Sequence, residues 1–369
     1  MFLFKNEDRE IFSIHINYRY AEKHGISNED FIRAHLAEHL MLVNVCRQMQ
    51  SRFGDFAYIE KYVSGLTNIE NSCFHLSASN EYISYVSEYI GIVCNHQLDH
   101  INENDFLEQV ENVLREYEYP DDSYRGRCDA FYTFINSLEN IDFEEELYKI
   151  TFDEIKEFID ERFVINNCDI FYCGKINEEI KREALQWAKH TKLKPTNTLL
   201  PIAIKRNEMM VNDDQKKQVW FAYRFLKLKT FQDYIISEIV AKTIQIVIAL
   251  ANKITLDNPI INVGTHYTGN CAYALFYANA IYDDLSFGYS REQIHIIIEA
   301  VKEEYKTRLL LKNDSLLEMI KFYKKIFYIT TEDITSMDIK CSFEKIEEEE
   351  IYNRFEEVYT GDKIILEYI

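Results

Sequence analysis

The stretch His35-Leu36-Ala37-Glu38-His39 carries two histidines one helical turn apart, with a glutamate beside the second. The apolar residues around it roughly follow helical spacing, and Ser27 with an acid three residues on provides an N-cap, so we predict a helix from about 28 to 51. Positions four apart share one face of a helix, which brings both imidazoles and the Glu38 carboxylate together. Neutral imidazole binds zinc, and a catalytic zinc uses three protein ligands and an open position. The sequence therefore predicts two zinc ligands and a base, and a third ligand must come from elsewhere.

The third ligand is predicted on a second helix, at Glu116 in a Val-Leu-Arg-Glu-Tyr-Glu context. A His-x-x-Glu-His motif followed at this distance by such a glutamate resembles the pitrilysin-type inverzincins, which include insulysin and the mitochondrial processing peptidase. The resemblance implies that His35, His39 and Glu116 bind zinc. It also implies that Glu38 activates the attacking water and then protonates the leaving amine. Glu118, half a turn further on, is the alternative third ligand.

The resemblance spans most of the chain and includes a segment that would bind substrate. Ser64-Gly65-Leu66-Thr67 falls where family members carry a strand that pairs with the substrate backbone, so we expect these four residues to hold a peptide by β-addition. Family members usually carry Asn-Ala where this chain has Ser64 and Gly65. We therefore expect the substrate to pair with a strand whose residues differ from those usual in the family.

A second departure concerns the groups that stabilise the developing oxyanion. The family's second domain normally supplies an Arg and a Tyr a few residues apart for this purpose. Here the corresponding stretch, 251–259, supplies only Lys253, and the next tyrosine is Tyr267. Two-chain members divide the zinc and the oxyanion groups between subunits, so the resemblance implies a heterodimer whose partner bears Arg and Tyr. The alternative is a weak or inactive enzyme.

The fold class follows from the mixture of predicted elements and from their order. Predicted strands alternate with helices, among them a helix over 140–163, and the second half repeats features of the first, which predicts two related α+β domains. Each domain would be a mainly antiparallel sheet covered by helices, as in half of a clam-shaped metallopeptidase. A polar stretch with two of the four prolines indicates a linker. We place the zinc domain at 1–195, the linker at 196–204 and the second domain, without a zinc motif, at 205–369.

Composition excludes several classes of function. The formal charge is −21, from 62 acidic and 41 basic residues, which argues against nucleic acid because phosphate contacts need clustered Lys and Arg. Most of this charge is explained by a solvated exterior, and any excess favours cationic peptides. We expect a cytoplasmic protein, because we find no signal peptide, no stretch long enough to cross a bilayer and no paired pattern among the eight cysteines.

Other histidines are weaker candidates for a metal site. His96-Gln97-Leu98-Asp99-His100 fits a loose version of the same motif, but it has the shorter Asp and falls at a predicted helix end. His75 lies in a predicted strand close in sequence to the substrate-binding segment, where strand packing is the simpler explanation. The sequence offers neither a Gly-x-Ser-x-Gly elbow nor a phosphate-binding glycine loop, so zinc chemistry is the mechanism that remains.

The resemblance implies a bacterial zinc-bearing subunit of a two-chain endopeptidase. Its substrates would be small unstructured peptides, such as a peptide precursor or leader. The competing hypothesis is a non-catalytic assembly subunit of the same fold, because core proteins of respiratory complexes resemble this family without cutting peptides. Such subunits usually lose the metal-binding residues, and the intact His35, Glu38, His39 and Glu116 therefore favour an enzyme.

Overall fold

The computed structural model divides the chain into two compact units. One comprises Met1–Thr196 with Leu316–Ile320, and the other comprises Asn197–Ser315 and Lys321–Ile369. The residues that the structure describes are 2–6, 8–20, 27–68, 71–95, 98–118, 143–178, 180–182, 186, 218–224, 228–251, 261–268, 271–278, 289–312, 315–330, 332, 334, 336–360 and 363–368. The predicted linker lies outside them, so the predicted domain limits stay a prediction.

The first unit is built on a five-stranded sheet. Its strands are β1 (Phe2–Asn6), β2 (Ile11–Tyr18), β3 (Val63–Thr67), β4 (Ser72–Ser79) and β5 (Cys168–Gly174). Their order across the sheet is β1-β5-β2-β4-β3. β1 and β5 are parallel, and the other neighbours are antiparallel. Among the described strands, β3 consequently lies at the edge of this sheet, with β4 on its inner side.

Among the described residues of this unit, the helices with defined limits are α1 (Asn28–Arg52), α2 (Tyr85–Asn95), α3 (Glu103–Glu118), α4 (Phe143–Lys149) and α5 (Phe152–Arg162). Alternate residues of β2 are apolar, and Ile14 and Ile16 among them share one core with Leu36 and Leu40 of α1. This alternation is the period of two that a strand imposes on its side chains. The apolar face of α1 is thereby fixed against the sheet, and this fixes the direction in which the remaining faces of α1 point.

The helix predicted over 140–163 is present as α4 and α5, which are separated by a break at Ile150 and Thr151. Thr151 caps the start of α5: its hydroxyl accepts a hydrogen bond from the Glu154 amide, and the Glu154 carboxylate accepts one from the Thr151 amide. Such a reciprocal capping box satisfies two amides that have no partner within the helix. A new helix therefore begins at this point.

The position of α3 against α1 is set at one end by an ion pair. The two terminal guanidinium nitrogens of Arg47 on α1 donate hydrogen bonds to the Asp105 carboxylate near the start of α3, at 2.7 and 2.6 Å. The turn ahead of α3 is attached as well, since Arg47 also donates to the His100 carbonyl at 2.7 Å and the His100 amide donates to the Asn44 side chain at 3.1 Å. A two-point guanidinium contact fixes orientation as well as distance.

The second unit has a four-stranded antiparallel sheet. Its strands, in the order β7-β8-β6-β9, are β6 (Gln218–Arg224), β7 (Ile261–Thr268), β8 (Cys271–Ala278) and β9 (Lys363–Tyr368). Its described helices are α6 (Phe231–Ala251), α7 (Arg291–Lys312), the part of α8 (Leu316–Thr330) from Lys321 onward, α9 (Ser336–Lys345) and α10 (Glu348–Thr360). No helix in the described parts of the chain has the length and apolar character needed to cross a membrane. The predicted α+β class, with mainly antiparallel sheets accompanied by helices, is confirmed.

The ion pair between α1 and α3 predicts a pH-dependent contribution to stability. The hydrogen bonds from Arg47 are the main cause that lowers the pKa of Asp105 from 3.8 to about 2. Because the folded pKa is the lower one, the stabilisation is complete above about pH 4 and is lost as the pH falls towards 2. We expect Asp105→Asn to lower the free energy of unfolding by about 1 to 2 kcal/mol at pH 7, measured by urea unfolding.

A matched control is Glu303→Gln, which removes an exposed carboxylate 3.6 Å from Lys306 within α7. Exposed pairs of this kind contribute little, so the control should unfold within about 0.5 kcal/mol of wild type. Equal losses in both variants, or a loss for Asp105→Asn that does not shrink between pH 4 and pH 2, would show that the ion pair does not stabilise the helix pair as described.

Candidate metal centre

The two motif histidines lie together on one face of α1. The ring centroids of His35 and His39 are 4.9 Å apart, and the rings meet edge to face. The His35 side chain is 6% exposed and that of His39 is 16% exposed, so both sit close to the core. This arrangement follows from the spacing of four residues, since the helical repeat places them one turn apart on one face.

Glu116 on α3 reaches both histidines with its carboxylate. One carboxylate oxygen lies 3.3 Å from His35 Nε2, and the other lies 3.5 Å from His39 Nε2. Two donors on one tetrahedral zinc at about 2.0–2.1 Å are separated by about 3.3 Å, so these distances fit a shared ion. In the described part of the chain, His35, His39 and Glu116 are the one group of three such residues whose ligand atoms all lie within 4.8 Å of one another. A two-histidine, one-carboxylate set of this kind suits zinc.

The environment of His39 favours its neutral, ligating form. Burial is the main cause that lowers the pKa of His39, and the neighbouring His35 lowers it further, while Glu116 and Gln109 act in the opposite direction. A neutral imidazole offers a lone pair to a metal and a proton to a second partner. The partner is Gln109, whose side-chain oxygen lies 3.4 Å from His39 Nδ1 and also accepts a hydrogen bond from Asn112 at 3.1 Å. Gln109 thus orients the His39 ring through Nδ1, the nitrogen that does not face Glu116.

Glu38 lies one residue before His39 and is buried, at 4% exposure. The Thr67 hydroxyl on β3 donates a hydrogen bond to Glu38 Oε2 at 2.9 Å, and Thr67 also contacts the Ser72 hydroxyl at 2.8 Å. Glu38 Oε1 occupies the space in front of Gly65, where a Cβ at position 65 would come within 1.9 Å of it. The carboxylate is therefore held between α1 and the edge strand of the sheet.

The predicted substrate-binding segment coincides with β3. Ser64, Gly65, Leu66 and Thr67 pair with His75, Phe74, Cys73 and Ser72 of β4, in that register. Leu66 is 54% exposed, and Ser64 is exposed as well. His75 connects to this segment through its Nδ1, 3.1 Å from the Ser64 hydroxyl, and through its Nε2 to Ser77 at 2.8 Å. His75 also packs edge to face on His15 across the strands, with ring centroids 4.6 Å apart, which agrees with a role in strand packing.

Several residues that were considered for the site fall outside the described residues or are described in their backbone alone. Lys253 and His96 fall outside them, and Tyr267 and Glu118 are described in their backbone alone, within β7 and at the end of α3. His100 is described, and its backbone is engaged by Arg47 and Asn44 as given above. The second His-x-x-Asp-His pattern therefore has one histidine whose observed contacts fix the start of α3.

Sequence analysis missed two residues that support the site, Gln109 and Ser72. A signal for Gln109 was present, because it precedes Glu116 by seven positions and so shares its face of α3. No comparable signal existed for Ser72. Its contact with Thr67 arises because the two residues face each other across β3 and β4, and that register is a property of the folded sheet.

Comparison with known proteins gives fold similarity alone. No family model and no curated protein matches the amino-acid sequence. Among solved structures, the chain is similar to a putative M16-like peptidase from Alicyclobacillus acidocaldarius, with 13% identity, 99% of this chain and 95% of the other covered, and a TM-score of 0.65. The chain has an M16-like peptidase fold.

Two further solved structures match this chain over its whole length. The periplasmic protease PqqL from Escherichia coli matches over 100% of this chain but 46% of its own, with 12% identity and a TM-score of 0.65. A chain of complex III2 from Candida albicans matches over 100% of this chain and 92% of its own, with 11% identity and a TM-score of 0.67. TM-scores of this size at such low identity show a shared architecture alone, so the chemistry must be argued from the residues of the site.

The contact between Gln109 and His39 Nδ1 predicts that Gln109 raises metal affinity without contacting the metal. Residues that orient a ligating imidazole typically change metal affinity by about 10- to 100-fold when removed. We expect Gln109→Leu to weaken Co²⁺ binding to the metal-free protein by that factor, measured by competition with a chromophoric chelator. Gln50→Leu is the control, because Gln50 bonds to Glu60 at the far end of α1 and should leave the affinity unchanged. Equal affinities for both variants would remove Gln109 from the site.

Proposed function

We propose that this chain is the zinc-bearing subunit of a metallo-endopeptidase, with His35, His39 and Glu116 as the zinc ligands. The observation that carries the proposal is the separation of their donor atoms, 3.3 and 3.5 Å, across two helices. A chance cluster of surface residues is not expected to place one carboxylate against two imidazoles that are both largely buried. When zinc is bound, it supplies a Lewis acid that lowers the pKa of water and polarises a carbonyl.

Glu38 is the residue we propose for the proton transfers. Its position between the ligand pair on α1 and strand β3 suits a general base that takes a proton from the attacking water and later gives it to the leaving amine. Its burial excludes bulk water from the carboxylate, and its contact with Thr67 holds one oxygen in place. Glu116, which is 45% exposed, marks the side of the site that is open to solvent.

The substrate we propose is a short peptide in an extended conformation. An edge strand offers backbone groups for pairing, and a peptide added to β3 along Ser64, Gly65, Leu66 and Thr67 would pass beside Glu38. Folded proteins do not present such a strand, so small unstructured peptides, such as a precursor or leader, are the proposed class. The net charge of −21 favours a basic peptide over an acidic one.

We also propose that a second, homologous chain completes the enzyme. The support is the length of PqqL, of which this chain covers 46%, because that protease combines about two such lengths in a single polypeptide. The missing Arg and Tyr pair in the sequence agrees with a partner that supplies the oxyanion groups. The partner's contribution would be electrostatic stabilisation of charge at the substrate carbonyl.

A non-catalytic assembly subunit is the second candidate, and the similarity to a chain of complex III2 is the observation that favours it. Such a subunit has no need for a buried glutamate beside a two-histidine, one-carboxylate group. Metal content therefore separates the two candidates, since a scaffold has no requirement for zinc at this position.

Metal analysis is the first test of the proposal. The purified wild-type chain should contain one equivalent of zinc, and His39→Ala should lose it together with peptidase activity. Glu38→Gln should keep the zinc and lose activity by about 100-fold or more, because the base is removed while the ligands stay. His100→Ala is the matched histidine control and should retain both. A wild-type chain that neither contains nor takes up zinc would support the assembly subunit.

The partner hypothesis has its own test. The zinc-loaded chain should cleave an unstructured peptide library poorly by itself and gain about 100-fold or more when the chain that co-purifies from the native source is added. Substitution of the partner's Arg or Tyr should reverse the gain. Full turnover by the purified chain alone would remove the need for a second subunit.

A further inference from the structure

Two hydroxyl groups form an ordered chain of hydrogen bonds that ends on Glu38. The Thr67 hydroxyl has one proton, and it is donated to the Glu38 carboxylate at 2.9 Å. The 2.8 Å contact between Thr67 and Ser72 must then be donated by Ser72, because an oxygen that has given its proton can still accept one. Ser72 is fully buried and Thr67 is 6% exposed, so this direction is protected from competing water.

The second observation is the space in front of Gly65. A Cβ at this position would lie 1.9 Å from Glu38 Oε1 and 2.4 Å from the carboxyl carbon, so the absence of a side chain is what lets the carboxylate lie there. Gly65 and Thr67 are two apart on β3 and therefore face the same side of the sheet. Strand β3 thus affects both carboxylate oxygens of Glu38. Thr67 donates a hydrogen bond to Oε2, and Gly65 leaves room for Oε1.

We propose that Thr67, Ser72 and Gly65 are positioning residues for Glu38, which hold its carboxylate in one place for peptide hydrolysis. This inference rests on the proposed function, because it assigns how the base of that reaction is held. Thr67 fixes Oε2 through its proton, Ser72 fixes the Thr67 hydroxyl, and Gly65 gives Oε1 its place. The same strand would bind the substrate backbone, so the register of the peptide and the position of the base are set together.

The first experiment compares Thr67→Val with Thr67→Ser in the zinc-loaded protein, assayed with the chain that co-purifies with it. Valine keeps the shape and removes the hydroxyl, so kcat should fall by about 10- to 100-fold with KM within about twofold of wild type, because a base displaced by about 1 Å loses that much rate. Serine keeps the hydroxyl and should recover about half or more of the kcat. Both variants should retain zinc, since the ligand atoms are untouched. Equal kcat for the valine variant and wild type would overturn the proposal.

The second experiment uses two glycines as a matched pair. Gly65→Ala forces the Glu38 carboxylate to move, and because that group is the end of a flexible side chain, folding should be little affected while kcat falls by about 10-fold or more. Gly91→Ala in α2 is the control, since nothing lies within 4 Å of its added Cβ, and it should keep wild-type kcat with an equal or higher unfolding midpoint. Equal kcat for Gly65→Ala and Gly91→Ala would contradict the role of Gly65.

A third measurement separates failure of this inference from failure of the proposed function. The unfolding midpoints of Thr67→Val, Glu38→Ala and the double variant are compared in the metal-free protein, where no activity is needed. If Thr67 holds Glu38, the two substitutions are not additive, and the double variant unfolds at about the midpoint of the less stable single variant. Additive shifts would overturn the inference. Coupling in the metal-free protein without peptidase activity in wild type would instead overturn the proposed function.

Discussion

The contact between α1 and α3 is the interaction on which the candidate site depends. The two helices run in opposite directions, because Arg47 near the end of α1 meets Asp105 near the start of α3, while His35 and His39 meet Glu116 further along. Removal of the ion pair leaves the two histidines in place, since the core holds α1 against the sheet. Glu116 is 45% exposed, and its place is set by α3, whose Val113 and Leu114 belong to the same core. Whether Glu116 meets the two histidines is therefore decided by how α3 packs on α1.

The division between what the sequence predicted and what it did not follows the range of the interactions. His35, Glu38 and His39 could be placed relative to each other because the helical repeat is a local property. Glu116 was identified by resemblance to a family, and no rule of spacing would have brought it to His39 from a different helix. Thr67 was assigned to substrate binding, and its hydrogen bond to Glu38 was missed because it requires the position of α1 over β3, which is set by the core.

The same distinction applies to the elements. Helix was predicted over 140–163, and the described residues there form α4 and α5. The start of α5 has a local signal, because Thr151 is followed three residues later by Glu154, with which it forms a capping box. The edge position of β3, by contrast, has no local signal. It follows from the order of five strands, of which two, β1 and β5, are distant in sequence and parallel.

Strand β3 carries a conflict between the stability of the strand and the placement of the Glu38 carboxylate. Glycine in a strand loses more conformational freedom on folding than other residues and offers no side chain to pack, so Gly65 weakens the edge strand. An alanine would strengthen the strand but would occupy the space of the Glu38 carboxylate. A buried carboxylate also needs donors, and the hydroxyl of Thr67 provides one from the same strand. Since both demands fall on one short strand beside α1, Ser64-Gly65-Leu66-Thr67 is explained better by the needs of Glu38 than by those of the sheet.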